Sequence, residues 1–175
     1  LLASRHEHAY ATAALHQRAT RDTLTGLLNR DAFEEQARAQ LASSKVTMTL
    51  LYVDLDHFKL VNDSASHVAG DEMIRGIAAL FRDEFGEDTL IARTGGEEFA
   101  VLGTLDENAA NMRARRLLAA IEKLRVAWLG QNLGTTASIG MATTLSPHNA
   151  FDELLSQSDS ACFAAKELGG NRSFA

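Results

Sequence analysis

Two rhythms of apolar and polar positions run along this chain, and the changes between them mark its elements. Residues 46–53, Val46-Thr47-Met48-Thr49-Leu50-Leu51-Tyr52-Val53, are almost continuously apolar, as expected of a central strand buried on both faces. Thr89-Leu90-Ile91-Ala92 and Phe99-Ala100-Val101-Leu102 flank Gly95-Gly96, which predicts a β-hairpin, because glycine takes positive φ without strain. Thr135-Thr136-Ala137-Ser138-Ile139-Gly140-Met141-Ala142 predicts a further strand. Helical spacing governs the rest. Phe33, Ala37 and Leu41 recur at i, i+4 and i+8 after a candidate N-cap, Asn29, and Ile74, Ile77, Ala78 and Phe81 make one face of a helix over 71–85. A long helix capped by Asp106 carries Ala110, Leu117, Ile121 and Leu124 on one side and is expected to stop at Gly130. A last helix over 151–168 closes on Gly169-Gly170. Residues 1–20 hold no Gly or Pro and predict the end of a connecting helix, whose sparse large residues (Leu1, Leu2, Tyr10, Leu15) leave room for a coiled-coil seam. Residues 61–70 are polar and turn-rich. Strand, helix, hairpin, helix, strand, helix is the order of an α/β (α+β) sandwich, with helices around a mixed, mainly antiparallel sheet. Residues 21–175 form its single globular domain.

Composition narrows the picture only a little. The 175 residues suffice for one domain with a sizeable core, and 46% hydrophobic with 23% charged is an ordinary globular balance. A net charge of −6 argues against a broad basic nucleic-acid surface. The lone Cys162 has no disulfide partner and, in an alanine-rich helix, is expected to be a small buried hydrophobe. No apolar run approaches a membrane span and no secretory signal pattern is present. The first residue is Leu, so an upstream sensor or membrane segment in a longer protein is expected, with this domain on the cytoplasmic side.

Candidate chemistry gathers at two acidic strand ends. Asp54-Leu55-Asp56 ends the central strand, and Glu97-Glu98 follows the glycine pair. A carboxylate on a buried strand is costly unless paired. Mg²⁺ accepts a few carboxylates and lets substrate phosphates complete its shell, so Asp54, the Leu55 carbonyl and a hairpin glutamate suit a nucleotide triphosphate. Taken alone, Asp54 and Asp56 are more simply two residues capping nearby amides. Lys59 and Lys166 are candidates to neutralise phosphates, and Arg93 lies beside the turn. Gly95 and Gly96 let backbone amides approach phosphates closely. Asn62 and Asp71 lie either side of a loop; a carboxylate accepts from the N1–H and N2–H of guanine, and an amide both donates and accepts. The simpler roles are a turn for Asn62 and the opening of a helix for Asp71. No GxxxxGK[ST] loop is present.

Together these stretches resemble the GGDEF domain family, the diguanylate cyclases. Asp22-Thr23-Leu24-Thr25-Gly26-Leu27-Leu28-Asn29-Arg30 is similar to the family's opening motif, and Asp54-Leu55-Asp56-His57-Phe58-Lys59-Leu60-Val61-Asn62-Asp63 to its metal and substrate motif. Ser66-His67-Val68-Ala69-Gly70-Asp71 is similar to GHxxGD, with Ser66 in place of a glycine. Arg93-Thr94-Gly95-Gly96-Glu97-Glu98-Phe99 is similar to the signature in its Glu variant, and Ala165-Lys166, Gly169 and Asn171-Arg172 to the closing motif. The resemblance implies a nucleotide-cyclase palm-type fold. It also implies condensation of two GTP into cyclic di-GMP and two pyrophosphates, with Mg²⁺ or Mn²⁺, across a homodimer in which each domain holds one GTP. By the same resemblance Asp54, the Leu55 carbonyl and Glu97 hold metal with Glu98 assisting, and Glu97, Glu98 and Lys59 serve catalysis. Asn62 and Asp71 read guanine with His67 nearby, while Lys166, Arg93, Phe58, Gly95 and Gly96 complete the substrate side. Two departures are visible. Gly86-Glu87-Asp88-Thr89 stands where many members carry an inhibitory RxxD, so product is expected to return instead to the guanine pocket. Gly170 replaces a common basic residue. The alternative within the same resemblance is a non-catalytic receptor for GTP or cyclic di-GMP.

Overall fold

A computed structural model describes residues 19–144 and 150–175. The elements in chain order are α1 (Arg30–Ser43), β1 (Met48–Asp56), α2 (Phe58–Ser64), α3 (His67–Phe85), β2 (Leu90–Arg93), β3 (Glu98–Gly103), α4 (Glu107–Lys123), β4 (Val126–Trp128), β5 (Gln131–Leu133), β6 (Thr136–Thr144), α5 (Phe151–Glu167) and β7 (Arg172–Phe174). The expected connecting helix lies outside the described residues except for its last two, Ala19 and Thr20, which are helical.

The main sheet has the order β2-β3-β1-β6-β7. Its pairings are antiparallel except β6 with β7, which is parallel. The expected mixed, mainly antiparallel sheet is therefore present. β1 sits at its centre because both of its faces are apolar. Leu51, Val53 and Leu55 point into a core closed by α3 (Met73, Ile74, Ile77, Phe81) and α4 (Ala114, Leu117, Ile121). Met48 and Leu50 point the other way, against Phe33, Ala37 and Leu41 of α1 and Phe151 and Leu154 of α5. Phe81 stacks on Phe99 at 4.8 Å between ring centroids, which locks α3 to the hairpin strand β3.

Helix starts follow the expected capping chemistry: Asn29 accepts from Ala32 N at 3.0 Å and Asp106 from Ala109 N at 2.8 Å. Several boundaries differ from the sequence expectation. The turn-rich stretch after β1 holds the short helix α2, and α3 begins at His67 rather than Asp71, because Ser66 accepts from Ala69 N at 3.2 Å and caps it. Ser66 thus has a use that a glycine there would fill less well. α4 ends at Lys123 and not near Gly130. Leu129 and Gly130, with φ of 46° and 81°, instead form the turn of a small β4–β5 hairpin. The tail after α5 adds β7 as an edge strand. Cys162 is buried with its thiol on the Ser138 carbonyl, and burial pushes its pKa up to about 12, as befits an inert core residue. No described helix is long and apolar enough to cross a membrane.

Candidate active site

The acidic groups meet at one end of the sheet because β1 continues past its apolar run through Asp54-Leu55-Asp56. Asp54 pairs with Glu98 on β3 and with Ser138 on β6. The Leu55 amide donates to the Glu97 carbonyl at 3.1 Å, which ties the hairpin turn to the end of β1. From the far side α5 brings Lys166, whose ammonium lies 2.6 Å from Asp54 Oδ1. Asp54 Oδ1 is buried, and this ammonium is the charge that compensates it. Burial pushes the Asp54 carboxyl up, and pairing with Lys166 only partly offsets this. Glu97 is also raised, first by burial and then by the Asp54 charge. Burial alone would depress Lys166, but Asp54 outweighs it and keeps the ammonium above its ordinary value. Two neighbouring carboxylates, each raised in part by the charge of the other, are suited to a dication. Among the described residues no three His, Cys, Asp or Glu side chains form a complete metal cage. Asp54 and Glu97, with the Leu55 carbonyl next in sequence to Asp54, are oxygen donors of the kind Mg²⁺ takes while leaving part of its shell to substrate.

Asp56 does something else. Its carboxylate accepts from Thr136 Oγ1 at 2.7 Å, Ser138 Oγ at 2.7 Å and Asn171 N at 2.9 Å. The amide-capping alternative therefore holds for Asp56. It also explains Gly170, whose φ is 69° and whose Cβ, if present, would lie 2.7 Å from Asp56 Oδ2. A side chain there must displace the carboxylate.

The base-reading candidates lie on α2 and α3, on the other face of β1 from α5. Gly70 lets the two helices touch, since an added Cβ would fall 2.0 Å from Asn62 Oδ1. The Asn62 carboxamide is thereby set against the residue next to Asp71, which is exposed. Asn62 and Asp71 thus stand on adjoining helices, with Asp71 inside α3 and not at its opening. His67 and Lys59 are exposed on the same pair of helices. Phe58 is buried, 3.4 Å from that same added Cβ, and packs the helices together rather than facing a ligand.

The hairpin turn is braced from outside. Arg93 donates to the Gly96 carbonyl at 2.7 Å and pairs with Asp22 at 3.3 Å, so its guanidinium holds the turn to the opening loop and is not directed at phosphate. Glu98 accepts from the Tyr52 hydroxyl at 2.7 Å, and Arg30 donates to the Thr94 carbonyl at 2.9 Å. The Gly95 amide turns toward the Glu98 carbonyl at 3.4 Å, leaving Gly96 as the exposed member of the glycine pair.

The family described as diguanylate cyclase, GGDEF domain, matches residues 19–172. The chain belongs to the GGDEF family. It is 36% identical over 158 residues to the probable diguanylate cyclase DgcE of Escherichia coli, covering 88% of this chain and 14% of that one. It is 38% identical over 161 residues to the cyclic di-GMP phosphodiesterase PdeB of Shewanella oneidensis, covering 90% of this chain and 18% of that one. The chain thus spans under a fifth of these two relatives. The coiled coil and GGDEF domain of DgcB from Caulobacter crescentus, solved in complex with cyclic di-GMP, superposes with a TM-score of 0.90 at 26% identity, covering 99% of this chain and 94% of that one. GGDEF membership places the domain in cyclic di-GMP metabolism.

Within this GGDEF domain Asp54, Glu97 and Lys166 stand at one sheet end, and Asn62 and Asp71 on the helices α2 and α3. The sequence motifs do not reveal Tyr52, Arg30 and Asp22 as partners of the signature hairpin. Those contacts join residues 46, 64 and 71 positions apart, and no local pattern encodes them.

Proposed function

We propose that two copies of this GGDEF domain, each holding one GTP, meet face to face and form cyclic di-GMP and two pyrophosphates. Each 3′-hydroxyl attacks the α-phosphorus of the other GTP. A P–O bond forms as the α–β anhydride bond breaks, and pyrophosphate leaves with the electron pair. Glu97 is the candidate to take the hydroxyl proton. The observation that carries this reading is the convergence of Asp54, Glu97 and Lys166 at one sheet end, two carboxylates short of positive charge beside one ammonium. Asp54, the Leu55 carbonyl and Glu97 would hold Mg²⁺ or Mn²⁺, which when bound neutralises charge on the phosphates. Lys166 and Lys59 flank the triphosphate, and Asp71 with Asn62 selects guanine by accepting from its N1–H and N2–H. Such a site works by positioning and charge neutralisation, which is most of what phosphoryl transfer asks of a protein. GTP as substrate puts the domain on the cytoplasmic side, as one part of a longer protein with an upstream sensor or membrane segment.

A second reading is a receptor that binds GTP or cyclic di-GMP without turnover. The phosphodiesterase name of one 38% identical relative favours it. One experiment separates the two: product formed from GTP and Mg²⁺ over a wide range of protein concentration. A yield per protomer that rises steeply with concentration supports the cyclase, while GTP binding with no product at any concentration supports the receptor.

A further inference from the structure

We propose that Tyr52 and Arg30 are positioning residues that hold Glu98, and through it the turn bearing Glu97, in place against Asp54. The proposal deepens the cyclase reading and rests on it for its functional meaning. Tyr52 lies two residues before Asp54 on β1, so both side chains project from the same face, and Glu98 is directly opposite Asp54 on β3. The Tyr52 hydroxyl donates to Glu98 Oε1 at 2.7 Å, and the Arg30 guanidinium stands 3.9 Å from Oε2. Arg30 also donates to the Thr94 carbonyl at 2.9 Å, on the other arm of the same turn. Glu98 Oε1 is therefore held by Tyr52, while Oε2 lies over Gly95 on the side toward Arg30. Glu98 is a strut, not the metal ligand its place in the signature suggests. A cavity of about 460 Å³ between α1 and α5, with Arg30, Tyr52, Thr94 and Glu98 in its wall, gives a released Glu98 somewhere to swing.

The two roles for Glu98 predict opposite signs. If Glu98 is a strut, removing the Tyr52 hydroxyl loosens the turn and weakens the metal half-site. If Glu98 is a ligand, the same change frees it to bind metal better. The test measures Mn²⁺ binding in the presence of 3′-deoxy-GTP, which lacks the attacking hydroxyl, from the paramagnetic resonance signal of free Mn²⁺. Tyr52→Phe is expected to raise the Mn²⁺ dissociation constant about tenfold, the order expected for one lost hydrogen bond to a charged group. Binding of 3′-deoxy-GTP without metal is expected to stay unchanged, because the base-reading pair is on the other face. Arg30→Gln is expected to shift Mn²⁺ binding in the same direction, and it carries the test if Tyr52→Phe does not fold. Unchanged or tighter Mn²⁺ binding in the folded variant overturns the proposal. Wild-type protein that binds Mn²⁺ and nucleotide but makes no product from GTP overturns the cyclase reading and leaves the strut standing. Wild-type protein that binds no Mn²⁺ overturns both.

Discussion

Glu97 sits where a charge is unwelcome until something positive arrives. Its carboxyl is held above the ordinary 4.5 by burial and by Asp54, so the folded state binds the proton more tightly than the unfolded chain. Ionisation therefore subtracts stability as pH rises through the raised value. We expect Glu97→Gln to abolish product formation and yet raise Tm of the metal-free domain by about 2 °C or less at pH 7. The gain should shrink as pH is lowered toward about 4, where wild type is protonated too. Thermal melts in chelator at several pH values check both signs. Asp22 shows the reverse. Burial pushes its carboxyl up, but bonds from Thr25 and the charge of Arg93 outweigh that and hold it below 3.8. Its stabilisation is full above the ordinary carboxylate range and is lost as pH falls through the lowered value. Asp22→Ala should cost about 1–2 kcal/mol in denaturant melts at pH 7, and it should slow product formation because Arg93 then holds only the turn.

At the scale of elements, the placement of Lys166 depends on how closely α5 lies on β6. An added Cβ at Gly140 would fall 1.8 Å from the Ser158 carbonyl oxygen and 2.2 Å from the Cys162 amide nitrogen, both backbone atoms of α5. Gly140→Ala must push the helix off the sheet at a cost of about 3 kcal/mol. Lys166, one turn beyond Cys162, moves with it. We expect a lower denaturation midpoint together with weaker GTP binding, measured by calorimetry on the folded fraction. The long helices and central strands were legible in the sequence because their apolar spacing directly records burial on one face or two. Phe33, Ala37 and Leu41 are all buried as their spacing requires. α2 was not legible: it spans seven residues, and only Phe58 and Val61 are buried. Likewise β4, β5 and β7 have three residues each, too few for a period to show. The acidic strand ends were legible because their motif spells them out. Tyr52 was not, because inside an apolar run it counts as one more hydrophobe, and only the folded register turns its hydroxyl toward Glu98.

For the whole molecule, the two faces of the sheet carry separate tasks in the proposed cycle. Base selection falls to α2 and α3, and phosphate handling to the sheet end and α5. With Gly86-Glu87-Asp88-Thr89 in the segment before the hairpin, we expect product not to be held there. We expect cyclic di-GMP to inhibit competitively with GTP, raising KM with kcat unchanged, and Asn62→Ala with Asp71→Ala to weaken cyclic di-GMP binding. Steady-state kinetics at several product concentrations, with calorimetry on the double variant, check this. Inhibition that lowers kcat would mean that product binds outside the guanine pocket.

The bonds around Asp56 have a consequence for how the domain is made. Its carboxylate needs Thr136, Ser138 and the amide of Asn171, which follow it in sequence by 80, 82 and 115 residues. On the ribosome β1 emerges long before any of these partners exists. Until Asn171 is in place, a carboxylate two residues from Asp54 lacks its full set of donors, and the sheet end is complete only when the segment before β7 has docked.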